Sequence, residues 1–132
     1  MAKASLLYSG EKDSGGASEF VARVLGGVTM AHMHHLMTDS YAKHMALNQL
    51  YEDLQDHGDD LAEAAMGCMQ KKLAFTGCSI AIGQDAVADV QALYDYVEQN
   101  RQMMGPESHI QNIVDEICSD ISSALYKLRM LA

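Results

Sequence analysis

The sequence predicts an all-α protein, a four-helix up-down-down-up bundle with a crossover between helices 2 and 3. Three observations carry that prediction. Apolar residues recur at three- and four-residue intervals in four separate stretches, the period of one helix face. The single Pro of the chain, Pro106, falls between two of these stretches rather than inside one. The links between stretches are short, then long, then short, which pairs the helices as two hairpins joined by one longer connection.

Length and composition set the frame for these elements. A chain of 132 residues that is 48% hydrophobic and 20% charged has the size and apolar content of one domain. Residues 1–16 end in Ser14, Gly15 and Gly16, which disfavour an ordered helix, so they are expected to form a flexible N-terminal arm ahead of a bundle over 17–132. Helix 1 is expected over 18–37, with Ser18 as its cap and Phe20, Val21, Val24, Leu25, Val28, Ala31 and His35 on its apolar face. Thr38, Asp39 and Ser40 supply turn and capping chemistry. Helix 2 follows over 40–66 on a face of Tyr41, His44, Leu47, Tyr51, Leu54, Leu61 and Ala65. Residues 67–83 are the least regular and serve as the crossover. Helix 3 is expected over 84–104, stopped by Gly105, and helix 4 over 106–130, where Ile110, Ile113, Val114, Ile117, Ile121, Leu125 and Leu128 make the cleanest stripe. This connectivity describes a ferritin-like bundle.

Charge and cysteine content narrow the function classes. Nine Lys and Arg against 18 Asp and Glu leave a formal charge of -9, with Lys71 and Lys72 the one adjacent basic pair, so nucleic-acid binding is not expected. Cys68, Cys78 and Cys118 are odd in number and lack CxxC spacing; they read as reduced thiols buried as small hydrophobes. No run approaches a membrane span, and the apolar stretch at the N-terminus is far shorter than a signal-peptide core. Met30, Met33 and Met37 read as core packing.

The chemistry-bearing residues concentrate around one turn. His32, His34, His35 and His44 crowd the expected hairpin. His32 and His44 lie equally far from its turn and are expected to face each other across the helix pair. Asp59 and Glu63, four residues apart, share a face of helix 2 and can turn two oxygens toward one cation. Fifteen residues separate His44 from Asp59, which is about 22 Å of helix, so the two halves cannot meet in one chain. Laying helix 2 against its own copy across a two-fold axis brings them together and creates two equivalent sites. The bland alternatives are a satisfied histidine pair packed in the hairpin, and a break of helix 2 at Gly58 with Asp60 and Glu63 forming a capping box. His34 and His35 are placed either at the surface or behind the ligands, and His57 and His109 at the surface.

The run AHMHHLMTDSYAKH followed by YEDLQDHGDDLAE resembles the pattern of Dps proteins, the mini-ferritins of starved bacteria. The resemblance implies an iron site at a dimer interface with His32, His44, Asp59 and Glu63 as catalytic and metal-binding residues. Where that family carries an acid four residues after the second His, this chain has Asn48, expected to contact the ion weakly or through water. Ferrous iron would be oxidised by dioxygen or peroxide, and dimers would build toward a cage. Helix 4, HIQNIVDEICSDISSALYKLRML, is similar to the last helix of ferritin-like proteins of tailed bacteriophages, which implies a bacterial host's cytoplasm or the virion as location. The di-iron centre of true ferritins is not expected, because no Glu has a His three residues later. Nor is the lysine-rich DNA-binding tail of the Dps family present. The alternative implied by Asn48 is a catalytically inactive structural or virion-associated bundle with other virion proteins as partners.

Overall fold

The computed structural model describes residues 9–78 and 80–132, with side chains from residue 16 onward apart from 79. Among the described residues it is all-helical: α1 (Ser9–Met37), α2 (Tyr41–Met69), α3 (Ala86–Asn100), a 3-10 turn (Arg101–Met104) and α4 (Ser108–Met130). The four expected helices are present, and no described residue is in a strand. α1 packs against α2 and α3, and α4 packs against the same two.

Each helix contributes most of its expected stripe to one core, but Leu25 of α1 and Tyr41 of α2, expected on the apolar faces, are exposed because they lie at the edge of the helix pair and at the first turn of α2. Phe20, Val21 and Val24 come from α1, Leu47, Leu50, Leu54 and Leu61 from α2, Val90, Leu93 and Val97 from α3, and Ile110, Val114, Ile117 and Ile121 from α4, all of them buried. Burying side chains of this size contributes about 1.5–3 kcal/mol each. Met30 belongs to this core, whereas Met33 and Met37 point to solvent, correcting the expectation that all three are core.

Helix boundaries differ from expectation where packing outweighs local preference. α1 already includes residues 9–16, which were expected as part of the arm; residues 1–8 of that arm lie outside the described residues. Gly16 lies against Met103, where a Cβ would meet the Met103 side chain at an ordinary 3.9 Å. Ser18 is therefore inside α1 and not its cap; its hydroxyl accepts the Ala74 N–H at 3.0 Å. Ser40 does cap α2, accepting the Lys43 N–H at 3.2 Å. α2 runs on past Gly67 to Met69, which packs against the core, and closes on Gln70 in the left-handed region at φ 55°.

Gly58 does not break α2, and the capping box of Asp60 and Glu63 does not form. Gly58 is instead buried against α1, where a Cβ would sit 3.2–3.3 Å from Leu25 and Val24 side-chain atoms. Asp85 caps α3 by accepting the Val87 N–H at 3.0 Å. The stop expected at Gly105 is present with φ 91°, although α4 starts at Ser108, two residues beyond Pro106.

Among the described residues of the connection 70–85 none is in a helix or strand, and the connection lies alongside α1. Ala74 is held by Ser18, and the Cys78 thiol faces the Ala22 carbonyl at 3.5 Å. A Cβ on Gly26 would touch Cys78 Sγ at 3.4 Å and Ile80 at 3.6 Å. Gly83 donates its N–H to Asp89 at 2.8 Å. The next glycine, Gly27, faces the other way, toward α3, where a Cβ would come within 2.6 Å of the buried Leu93 side chain.

Two glycine replacements separate helix propensity from packing. Gly67→Ala, with nothing within 4 Å of the new Cβ, is expected to raise unfolding free energy by about 0.5–1 kcal/mol in urea denaturation. Gly27→Ala meets Leu93 in a filled core, where overpacking costs about 1–3 kcal/mol, and is expected to show no gain.

Candidate functional site

The end of α1 and the start of α2 are joined by the tight reversal at Thr38 and Ser40. Thr38 donates its N–H to the His34 carbonyl at 3.1 Å, and Ser40 donates its own to Thr38 Oγ1 at 3.1 Å. That reversal brings four rings together. His35 Nδ1 donates to the His44 carbonyl and His44 Nδ1 donates to the His35 carbonyl, each at 2.8 Å. The two imidazoles stack with centroids 3.6 Å apart and planes 19° apart.

A carbonyl oxygen only accepts, so both Nδ1 atoms must carry protons. In the neutral ring the lone pair is then on Nε2, the form in which an imidazole can ligate a metal. The His35 carbonyl belongs to the last turn of α1, where no helical N–H is left to pair with it, and the His44 side chain supplies the missing donor.

His32 does not face His44 as the hairpin symmetry suggested. Its ring stacks on Tyr51 at 4.3 Å and 18°, and His35 stands between, in edge contact with His32 at 5.8 Å and stacked on His44. The reason is helical phase: the inward position opposite His44 falls to His35, which is buried, while His32 is exposed. Tyr51 also donates its hydroxyl to Asn48 Oδ1 at 2.8 Å, so the amide that replaces an acid is held by a neighbour in the same helix. Four of the rings thus form a connected group of His32, His35, His44 and Tyr51, with Tyr41 stacked beyond His44 at 6.3 Å.

Asp59 and Glu63 are exposed farther along the unbroken α2. The negative charge of Asp59, together with a hydrogen bond to it, raises the Glu63 carboxyl above its usual range. Two carboxyls that repel in this way share one patch of surface. Among the described residues no three His, Cys, Asp or Glu side chains converge to hold a metal ion within the chain.

His34 is buried, and its Nε2 lies 2.7 Å from Asp89 Oδ2, the same oxygen that accepts the Gly83 N–H. This joins α1, α3 and the connection between α2 and α3 through one carboxylate. His57 is half-buried between α2 and α4, with Nδ1 on Asp120 and Nε2 3.4 Å from Glu116. Burial alone would lower its pKa, but the hydrogen bond and charge of Asp120, aided by Glu116 and Asp53, raise it. Burial raises the Asp120 carboxyl, against the pull of His57. His109 is exposed, as expected.

The cysteines correct the expectation of buried thiols. Cys68 and Cys78 are exposed and only Cys118 is partly covered. Burial, and after it the Glu98 carboxylate that accepts from the thiol, push Cys118 up to about 11, so it stays protonated at neutral pH.

The His57 pair gives a signed dependence on pH. A raised histidine pKa contributes stability that is fully present below the unfolded value near 6.5 and is lost as pH rises through the higher folded value. Chemical denaturation from pH 6 to 9 is expected to show that loss in the native chain. His57→Gln is expected to remove that component of the slope; an unchanged slope in the variant would mean that the pairing does not operate.

Comparison with known proteins adds one finding. Residues 35–128 match the model of a family of unknown function, DUF5856. A search of the curated proteins and a search of the solved structures give no match.

Proposed function

The chain belongs to the DUF5856 family, whose function is unknown, and from the geometry of its α1–α2 hairpin we propose a ferritin-like bundle that pairs two-fold with a second copy and binds a divalent metal ion, iron first, between the copies. The observation that carries this reading is the tautomer of His44. Its Nδ1–H is committed to the His35 carbonyl, which leaves Nε2 for an ion, on the same unbroken helix that bears Asp59 and Glu63.

Three further features support it. Partner numbers in α3 fall as those in α1 rise, from Phe20 and Tyr96 through Gly27 and Leu93 to His34 and Asp89. Together with a connection that follows α1, this favours the up-down-down-up course of a ferritin-like bundle. Met33, Leu36, Met37, Tyr41 and Met45 are exposed around the hairpin tip, an apolar surface that a second copy would cover. And the mutual repulsion of Asp59 and Glu63 is what a bound cation would relieve.

In this reading His44 and, across His35, His32 face Asp59 and Glu63 of the second copy, and Asn48 adds at most its remaining amide lone pair. With ferrous iron as substrate, dioxygen or peroxide takes up the electrons. Reciprocal pairing gives two sites per dimer. DNA is not a partner in this reading, since the net charge opposes it; among the described residues no helix is long and apolar enough to cross a membrane.

A second reading is favoured by a specific observation. His35 and His44 hold each other, His32 lies on Tyr51, and Asn48 takes the Tyr51 hydroxyl, so each of these residues already has a packing role. That supports a metal-free structural bundle, in the virion or elsewhere.

Anaerobic calorimetric titration with ferrous ion, alongside sedimentation analysis, separates the two. The metal reading expects a dimer, saturable heat, loss of that heat in Glu63→Ala, and affinity that weakens as pH falls into the raised range of Glu63. Heat identical in wild type and Glu63→Ala, or a monomer, would overturn it; a metal-free dimer would favour the structural reading.

A further inference from the structure

Beneath the connection of residues 70–85, on the side of the molecule formed by α1 and α3 and away from the α1–α2 hairpin, lies a cavity of about 580 Å³ lined by Ser18, Ala22, Arg23, Phe75, Cys78 and Tyr96, with Glu19 on the same wall. A second cavity of about 400 Å³ adjoins it along the same groove, and Arg23 lines both. Its walls combine Gly26, Gly27 and Met30 of α1, Ile80 and Ala81 of the connection, and Ala92 and Leu93 of α3 with one carboxylate, Asp89, whose Oδ2 is already engaged by His34 and the Gly83 N–H.

The polar groups at the junction are incompletely used. The Tyr96 hydroxyl is buried and, among the described residues, has no hydrogen-bond partner. Covered hydroxyls are nearly always paired, because leaving one unpaired loses its hydration without replacement. The Arg23 guanidinium lies 4.5 Å above the centre of the Tyr96 ring and, among the described residues, makes neither a hydrogen bond nor an ion pair. A planar cation whose N–H donors are unused among the described residues, and the ring whose hydroxyl is unpaired, therefore stand where the two cavities meet.

From this geometry we infer a binding site for a small amphipathic monocarboxylate, its carboxylate taken by Arg23 and Tyr96 and its hydrocarbon tail laid along Gly26, Met30, Ile80 and Leu93. A guanidinium pairs a carboxylate through two parallel hydrogen bonds, which fixes its orientation. Among the described residues the ring contact alone holds the Arg23 head over Tyr96, so the head can shift to let the carboxylate reach the hydroxyl. Glu19 on the same wall selects against a dianion such as phosphate. Gly26 keeps α1 flat beside the connection, where a Cβ would already touch Cys78 Sγ and Ile80. The site shares none of its lining residues with the proposed metal site, and neither reading depends on the other.

Octanoate is the probe, followed by two-dimensional amide spectra of the full chain. Saturable shifts are expected at residues 18–27, 74–78, 80–82 and 92–97. Octanol, which has the tail without the charge, is expected to bind about tenfold more weakly or worse, as is octanoate to Arg23→Gln, in keeping with a charge-assisted pair. Tyr96→Phe is expected to weaken octanoate while raising the thermal midpoint, because it removes an unpaired buried hydroxyl; should Arg23→Gln fail to fold, this variant and the octanol comparison carry the test. Absence of saturable shifts, shifts confined to the hairpin tip, or equal affinity for octanoate and octanol would overturn the proposal.

Discussion

The α1–α2 hairpin depends on one reciprocal exchange: each of two stacked imidazoles donates to the other residue's carbonyl. The exchange fixes the register at the turn end of two helices that also pack on each other, with Gly58 of α2 against Val24 and Leu25 of α1. It also satisfies a carbonyl that the end of α1 would leave without a donor. A shift of one residue in either helix would break both bonds at once and turn the apolar stripes of α1 and α2 away from α3 and α4. The stack of the two imidazoles, the stack of His32 on Tyr51 and the position of Asn48 all follow from that register.

Packing of the rest is set by where α1 can be approached closely. Gly58 admits α1 to α2, Gly27 admits Leu93 of α3, and Gly26 admits the connection at Cys78 and Ile80. Ser18 and His34 then tie that connection down near its two ends, one directly and one through Asp89 and Gly83. A helix with bulky residues at these positions could not carry two neighbouring helices and a strap of irregular chain at such short distances. The same closeness leaves the two adjoining cavities that Arg23 borders.

Helix existence was legible because period and caps agree: the stripe from Ile110 to Leu128 is buried at every third or fourth residue, and Ser40 and Gly105 act where their chemistry places them. Helix ends were less so, since Gly15, Gly16 and Gly67 argue locally for chain breaks that tertiary contacts override. At the hairpin, counting residues from the turn put His32 opposite His44; the rotation of 100° per residue gives that place to His35. A buried histidine next in sequence to another was the available signal. The His34 pair with Asp89 and the His57 pair with Asp120 join residues 55 and 63 positions apart, a separation at which one sequence carries no local pattern. Cys78 looked like a core residue by type, yet it lies on the irregular connection, where apolar character does not imply burial.

The central claim is the tautomeric state of the hairpin pair, and nitrogen-15 spectra of the imidazoles measure it directly. His35 and His44 are both expected to carry a proton on Nδ1, each showing a slowly exchanging signal with a coupling across the hydrogen bond to a backbone carbonyl, and a bare Nε2 in the neutral rings. Neutral rings protonated at Nε2 with Nδ1 bare would contradict it, because neither carbonyl could then be holding the opposite helix.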